Sequence, residues 1–474
     1  MLNTLAGERI YVRRRRLLTA TAGLAASLSG CAGFALDAPD AADSSSGDRE
    51  PTAEPRPVPE SEWERVSPRP EWERAADARI DEHRRSDVTV EVVRDGEPVA
   101  DAEVRLRLLE HAFDFSTAYN VARHADTDPD DPYRTWVGRL FNEAVFENAH
   151  KWRQWSEDGG HARTHGAIEF LREQGVEVSG APVVWQHDEH DVLPASVYDA
   201  LDAGNLDRLR ALLDEHITQL VGHNAAAHGV DDWVLLNEQL EEHTVSDALA
   251  DGPPTRSPPL REWFEIAREA APNTTLSVND YDILSLDRPA HRDDYAELVS
   301  YLLGGAAPPD EVGFQSHFTA PGERISPTEQ YARMDRFASL GDVSLAVSEF
   351  DTVDFDSDEQ AGEYLYRFLK TAYSHPATAG FRLWGYWDSQ HWANEAPLFR
   401  EDWSKKPGFH AYTDLVFDQW YTDTTATTDA DGRAGATATL GTYRLTASVD
   451  GERTTMRADV TDPTGQTVRV ELAG

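Results

Sequence analysis

An α/β fold closed as a (β/α)8 barrel is what this sequence predicts, on three observations. Eight short apolar runs recur between residues 113 and 416, separated by amphipathic or loop-rich stretches, as a repeated strand–helix unit requires. Polar side chains stand at nearly every carboxyl end of those runs, where such a barrel opens its cleft. Two of them are glutamates, Glu238 and Glu349, which lie 111 positions apart.

The chain begins with Arg13-Arg14-Arg15-Arg16 before an apolar stretch, Leu17 to Leu28, that is short for a bilayer span. Paired arginines ahead of a weakly hydrophobic segment resemble a twin-arginine export signal. The single cysteine, Cys31, follows in Leu28-Ser-Gly-Cys31, which resembles a lipobox. One cysteine cannot form an internal disulfide, so lipid anchorage at Cys31 is expected, with plain cleavage and secretion as the alternative. Residues 1–31 are therefore expected to be a signal peptide. Residues 32–62, rich in Asp, Ser, Pro and Glu, are expected to be a disordered tether.

Residues 63–111 read as a lead-in to the barrel. Trp-Glu-Arg occurs at Trp63 and Trp72, and Ala75–Arg85 has helical character. Asp87–Val93 and Ala102–Leu108 alternate apolar and polar residues about the turn Arg94-Asp-Gly-Glu-Pro98, which predicts a β-hairpin. The eight barrel strands are expected at 113–119, 144–148, 181–185, 233–238, 275–280, 312–317, 345–350 and 381–386. Helical stretches at 206–221, 260–270 and 359–373 fall between them. With the barrel assigned to 112–421, the Thr-, Ala-, Asp- and Gly-rich residues 422–474 predict a small all-β module.

Composition narrows the function. There are 85 acidic against 44 basic residues, a formal net charge of −41, and only four of the basic residues are lysine. A hydrated carboxylate surface of this density suits concentrated salt and self-repels in dilute buffer, which reads as a halophile's protein. The sign of the field excludes nucleic acid as a partner. Contact with a membrane is expected only through a lipid at Cys31, and the protein is expected to be a monomer. A loop reading His187-Asp-Glu-His-Asp191 lacks helical metal-ligand spacing, so no metal and no cofactor is expected.

Two carboxylates at the mouth of one barrel are what glycoside hydrolysis needs, one to protonate the leaving oxygen and one to attack the anomeric carbon. The remaining polar set at the strand ends comprises Asn148 and Lys151, Gln186 and His187, Asn237, Asn279-Asp280, Gln315 and His317, and Trp384. The chain here resembles glycoside hydrolase family 10, the endo-β-1,4-xylanases, as a haloarchaeal-type secreted member. The motifs stand in family order: Phe146-Glu-Asn-Ala-His-Lys-Trp152, Trp233 to Asn237-Glu238, Val278-Asn-Asp-Tyr281, Gly313-Phe-Gln-Ser-His317, Ser348-Glu349-Phe-Asp351, and Trp384-Gly-Tyr-Trp-Asp388 with Trp392.

The resemblance implies a retaining double displacement with Glu349 as nucleophile and Glu238 as acid/base. It implies that His317 orients Glu349, that Asn237 contacts the sugar 2-hydroxyl, and that Asn148, Lys151, Tyr281 and Gln315 bind substrate. Trp384 and Trp392 would wall the sugar face. Where the family has Val-Trp-His after the third strand, this chain has Val184-Trp185-Gln186, and Gln186 is expected to contact the sugar in its place. The implied substrate is a xylan-like β-1,4-glycan. A retaining β-1,4-glucanase, a mixed β-glycan hydrolase and a non-catalytic polysaccharide-binding surface protein remain as alternatives.

Overall fold

Runs such as Trp233-Val-Leu-Leu are apolar on both faces, so the strands they form must be covered on both sides. The computed structural model, which describes residues 61–156, 160–180, 182–187, 192–285, 288–318 and 324–472, arranges them as a ring of parallel strands. In barrel order they are Asp114–Tyr119, Glu143–Phe146, a third strand in two pieces (Glu177–Ser179 and Val184–Trp185), Asp232–Asn237, Thr275–Asp280, Glu311–Ser316, Ser344–Phe350 and Thr378–Leu383. The first strand pairs with the second on one side and the eighth on the other. The two pieces of the third pair with the second and fourth respectively.

Gly180 closes the ring. Its N–H donates to the Asp232 carbonyl at 2.7 Å, and its own carbonyl accepts from the Val234 N–H at 3.3 Å. A Cβ at Gly180 would lie 1.8 Å from the Trp233 ring, so only glycine permits this approach. The third strand was expected at 181–185; it starts earlier, at Glu177, and breaks around Gly180, because the Trp233 ring presses on its backbone there.

Helices cover the ring, among them Leu206–Ile217, Pro258–Ala270 and Asp358–Ser374. The lead-in helix, Glu71–His83, packs on Asp358–Ser374. Lys370, fully buried, joins the two by donating to Glu73 and pairing with Asp77, each at 2.8 Å. Arg84 then caps the far end, donating to the carbonyls of Tyr373, His375 and Thr378. A buried cation held this way is costly to leave unpaired, so it fixes where the lead-in sits.

The expected hairpin is corrected. The turn forms, and Glu97–Pro98 returns antiparallel onto Val93–Arg94, but the long strands Arg85–Arg94 and Glu103–His111 belong to opposite sheets. The first lies between Arg433–Thr439 and Gln466–Glu471. The second lies between Asp423–Thr427 and Gly441–Val449, and Glu452–Val460 completes its sheet. Side by side, Val88, Val90 and Val92 would form one apolar face with Val104, Leu106 and Leu108. Placed face to face, they instead build a single core with Leu440, Tyr443, Leu445 and Val460. The lead-in strands and the carboxyl-terminal strands are thus one sandwich. Among the described residues no helix is long and apolar enough to cross a membrane. The expected signal, the lipobox with Cys31 and most of the tether lie outside the described residues.

Candidate active site

Irregularities in the strands aim the polar side chains. The register shifts between Val234 and Leu236, between Phe314 and Gln315, and between Val347 and Phe350, just before Asn237-Glu238, at Gln315, and around Glu349. Such bulges turn side chains that regular pleating would send elsewhere. Glu238 also has φ +56°, a left-handed conformation costing a non-glycine residue on the order of 1 kcal/mol. Its N–H is held by the Asn279 carbonyl at 2.9 Å.

The two carboxylates share one hydrogen-bond relay. Glu238 Oε1 accepts from Gln315 Nε2 at 2.7 Å and from Asn237 Nδ2 at 3.1 Å; its Oε2 accepts from Trp185 Nε1 at 2.9 Å. Asn237 Oδ1 accepts from Asn279 Nδ2 at 2.8 Å, and the same Asn279 nitrogen donates to Glu349 Oε1 at 2.9 Å. Ser348 Oγ fixes Asn279 from behind, donating to its Oδ1 at 2.5 Å.

Their surroundings differ in sign. Burial pushes the Glu238 carboxyl up to about 7, with the negative charges of Glu349 and Asp280 adding to it against the donors Gln315 and Trp185. Glu349 faces a cation instead: His317 Nε2 lies 3.2 Å from its Oε2, while His317 Nδ1 donates to Asp351 Oδ2 at 2.6 Å. Burial alone would keep the His317 ring neutral, but Asp351 and Glu349 outweigh it and hold the ring protonated. Burial likewise opposes charge on Asp351, and His317 reverses that, keeping its carboxyl low. One group thus holds a proton near neutrality, and the other meets an imidazolium. That is a general acid beside a carboxylate paired with a cation.

The other expected residues fall as follows. Lys151 Nζ donates to Asn148 Oδ1 at 2.8 Å and lies 4.8 Å from the Trp185 ring centroid. Burial lowers its proton affinity, and Glu147, Glu349 and Glu238 support its charge. Tyr281 packs on His291, with its hydroxyl hydrogen-bonded to Glu241. Trp384 rests on Ala118 and Val145 and sets its edge against His317. Trp392 is 53 % exposed, meets the His317 ring at 5.7 Å, and donates from Nε1 to Asp351 Oδ2 at 2.7 Å.

Gln186 is the exception. It is 0 % exposed, its Nε2 donates to Gln239 Oε1 at 2.6 Å, and its Oε1 accepts from the Ser246 N–H at 2.7 Å. Both ends of the amide are taken up tying down the segment after the fourth strand, so the expected sugar contact is corrected to a buried anchor. Three contributors went unpredicted: Trp185 as a donor to Glu238, Asn279 as the bridge, and Asp351 as the His317 partner. Asp351 carried a signal, standing two residues beyond Glu349 and thus on the same side of the chain. Trp185 carried none, since a tryptophan closing an apolar strand reads as core.

Comparison with known proteins agrees with this arrangement. The family model described as "Glycosyl hydrolase family 10" matches residues 106–415. The chain is similar to the anti-sigma-I factor RsgI6 of Acetivibrio thermocellus, with 30% identity over 390 residues, covering 81% of this chain and 47% of that protein. It is similar to a beta-1,4-xylanase of Dictyoglomus thermophilum, with 29% identity over 245 residues, covering 48% of this chain and 62% of the relative. The chain thus spans about half of the first relative and about three fifths of the second. Its fold is shared with xylanase 10B from Thermotoga petrophila RKU-1, solved with xylobiose, at a TM-score of 0.55 and 22% identity, covering 65% of this chain and 94% of that one. With six motif segments folded onto one barrel mouth and most of the barrel matched by the family model, the chain belongs to glycosyl hydrolase family 10.

Proposed function

We propose that this chain hydrolyses a xylan-like β-1,4-glycan within the chain and with retention of anomeric configuration. The observation that carries the reading is the relay joining two carboxylates, one holding its proton up to about 7 and the other facing the His317 imidazolium. Glu349 attacks the anomeric carbon while Glu238 gives its proton to the departing sugar oxygen, leaving a glycosyl-enzyme ester. Glu238, now ionised, takes a proton from water as that water attacks the same carbon and frees Glu349. The imidazolium of His317 and the Asn279 amide orient the nucleophile. Asn237, between both glutamates, is placed for the 2-hydroxyl contact that strengthens at the transition state. Asn148, Lys151 and Gln315 offer polar contacts, Tyr281 an aromatic one beside them, and Trp384 and Trp392 apolar walls.

The named xylanases among the relatives support xylan over other β-glycans. Initial rates in molar salt test this: xylan should be cleaved far faster than carboxymethyl cellulose or mixed-linkage glucan, and a preference for either glucan would overturn the substrate assignment.

The same reading extends to habitat. None of the four lysines is fully exposed: Lys151 lies at the barrel mouth, Lys370 and Lys406 are buried in ion pairs, and Lys405 packs on Phe409. A surface with no fully exposed lysine and a net charge of −41 support a monomer that works in concentrated salt. Export by the twin-arginine route and lipid anchorage at Cys31 complete the proposal of a cell-surface enzyme. Cys31→Ser should then move the protein from cells to medium; unchanged partitioning would exclude the anchor.

A further inference from the structure

Four histidines outside all of the motifs above gather on the outside of the barrel. His161 and His165 sit on the helix Gly160–Glu173, which follows the second strand; His223 and His228 sit on the helix His223–His228, which precedes the fourth. The rings of His165 and His228 are 4.0 Å apart between centroids, and those of His165 and His223 are 5.2 Å apart. Ligand nitrogens of His165, His223 and His228 all lie within 4.8 Å of one another. His165 Nε2 is buried and has no hydrogen-bond partner among the described residues.

Packing imidazoles together this way has no apolar rationale. Each ring carries a lone pair that must be hydrogen-bonded, protonated or coordinated. Neutral imidazole is the form that binds a metal of intermediate softness. From this arrangement we propose that His165, His223 and His228 form a binding site for a divalent zinc-type cation, with solvent at the fourth position.

Zn–N distances of about 2.0–2.1 Å place tetrahedral nitrogens about 3.4 Å apart. Closing the remaining gap, at most about 1.4 Å, falls to side-chain rotation, since His223 is exposed and the other two are half-buried. Glu169, one turn beyond His165, adds negative charge near both His165 and His228, and Arg172 opposes it at His228. The bound ion would staple the two helices. It would also brace the barrel mouth from behind, because His161 stacks at 3.9 Å on Trp155. Trp155 lies in the short helix Trp152–Ser156, directly after Lys151.

The test uses the untagged full-length chain, stripped with EDTA, dialysed into molar potassium chloride and titrated with zinc chloride against a chromophoric chelator. The expected result is about one equivalent bound with micromolar affinity or tighter, and a melting temperature raised by about 2–5 °C at saturation. His223→Ala, a surface change, should weaken binding at least about tenfold and abolish the thermal shift. His410→Ala, outside the cluster, should leave both unchanged. The proposal is overturned if the parent binds no zinc, or if His223→Ala binds it as the parent does.

Discussion

Replacing Glu238 with glutamine should stabilise the fold, and only at high pH. In the unfolded chain this carboxyl releases its proton near the ordinary value of 4.5; in the folded protein it holds the proton up to about 7. Between those values the folded state binds more protons than the unfolded one, so Glu238 costs stability progressively as pH rises, and the cost is complete above about 7. A shift of this size at about 1.36 kcal/mol per pH unit amounts to about 3 kcal/mol. The glutamine amide imitates the protonated acid, keeping an acceptor toward Gln315 and Asn237, while its NH2 meets the Trp185 Nε1 donor, a cost that is the same at every pH. Glu238→Gln should therefore gain nothing over the parent at pH 5. From pH 5 to pH 8 the variant should gain about 3–4 °C on the parent, taking roughly 2 cal/mol/K of unfolding entropy per residue over the folded domain. Calorimetry at the two pH values in molar salt reads this directly. A difference equal at both values, or a variant that loses ground to the parent from pH 5 to pH 8, would refute the claim that burial and the neighbouring carboxylates raise Glu238.

The same group should set the alkaline limb of kcat/KM on an aryl xylobioside, with a midpoint near 7. Gln315→Leu removes a donor that favours the ionised form, so the limb should move upward by about one unit, at the scale of a charged hydrogen bond; a fixed or lowered limb would contradict the relay. Trp185→Phe removes a weaker donor to the same carboxylate and should move it the same way by less. With a net charge of −41, the melting temperature should climb from dilute buffer to molar potassium chloride as repulsion is screened. A flat or falling series would remove the halophile reading.

The barrel was legible because its strands are short, apolar and regularly spaced, and seven of the eight lie within a few residues of their expected places. The third escaped because its break depends on Trp233, more than fifty residues away, pressing on Gly180. The hairpin failed for a related reason: alternation tells which side chains go inward but not whether two such strands pair edge to edge or face to face. Gln186 shows the limit at the site. Its neighbours in the chain lead toward the cleft, but Gln239 and Ser246 claim its amide, and those partners come from another loop. The histidine cluster was invisible for the same cause. His223 and His228 are five apart, off the regular helical ligand spacing, and His165 joins them only in space.

Product stereochemistry tests the central assignment most directly. Glu349→Ala should lose hydrolysis, and with azide on an activated β-xyloside it should yield the α-glycosyl azide, because a small anion enters the vacated side and inverts the centre. Glu238→Ala should still form the glycosyl-enzyme from a substrate with a good leaving group, accumulate it, and release the β-azide. Inversion by the unmodified enzyme, or near-normal xylan hydrolysis by both variants, would contradict the account.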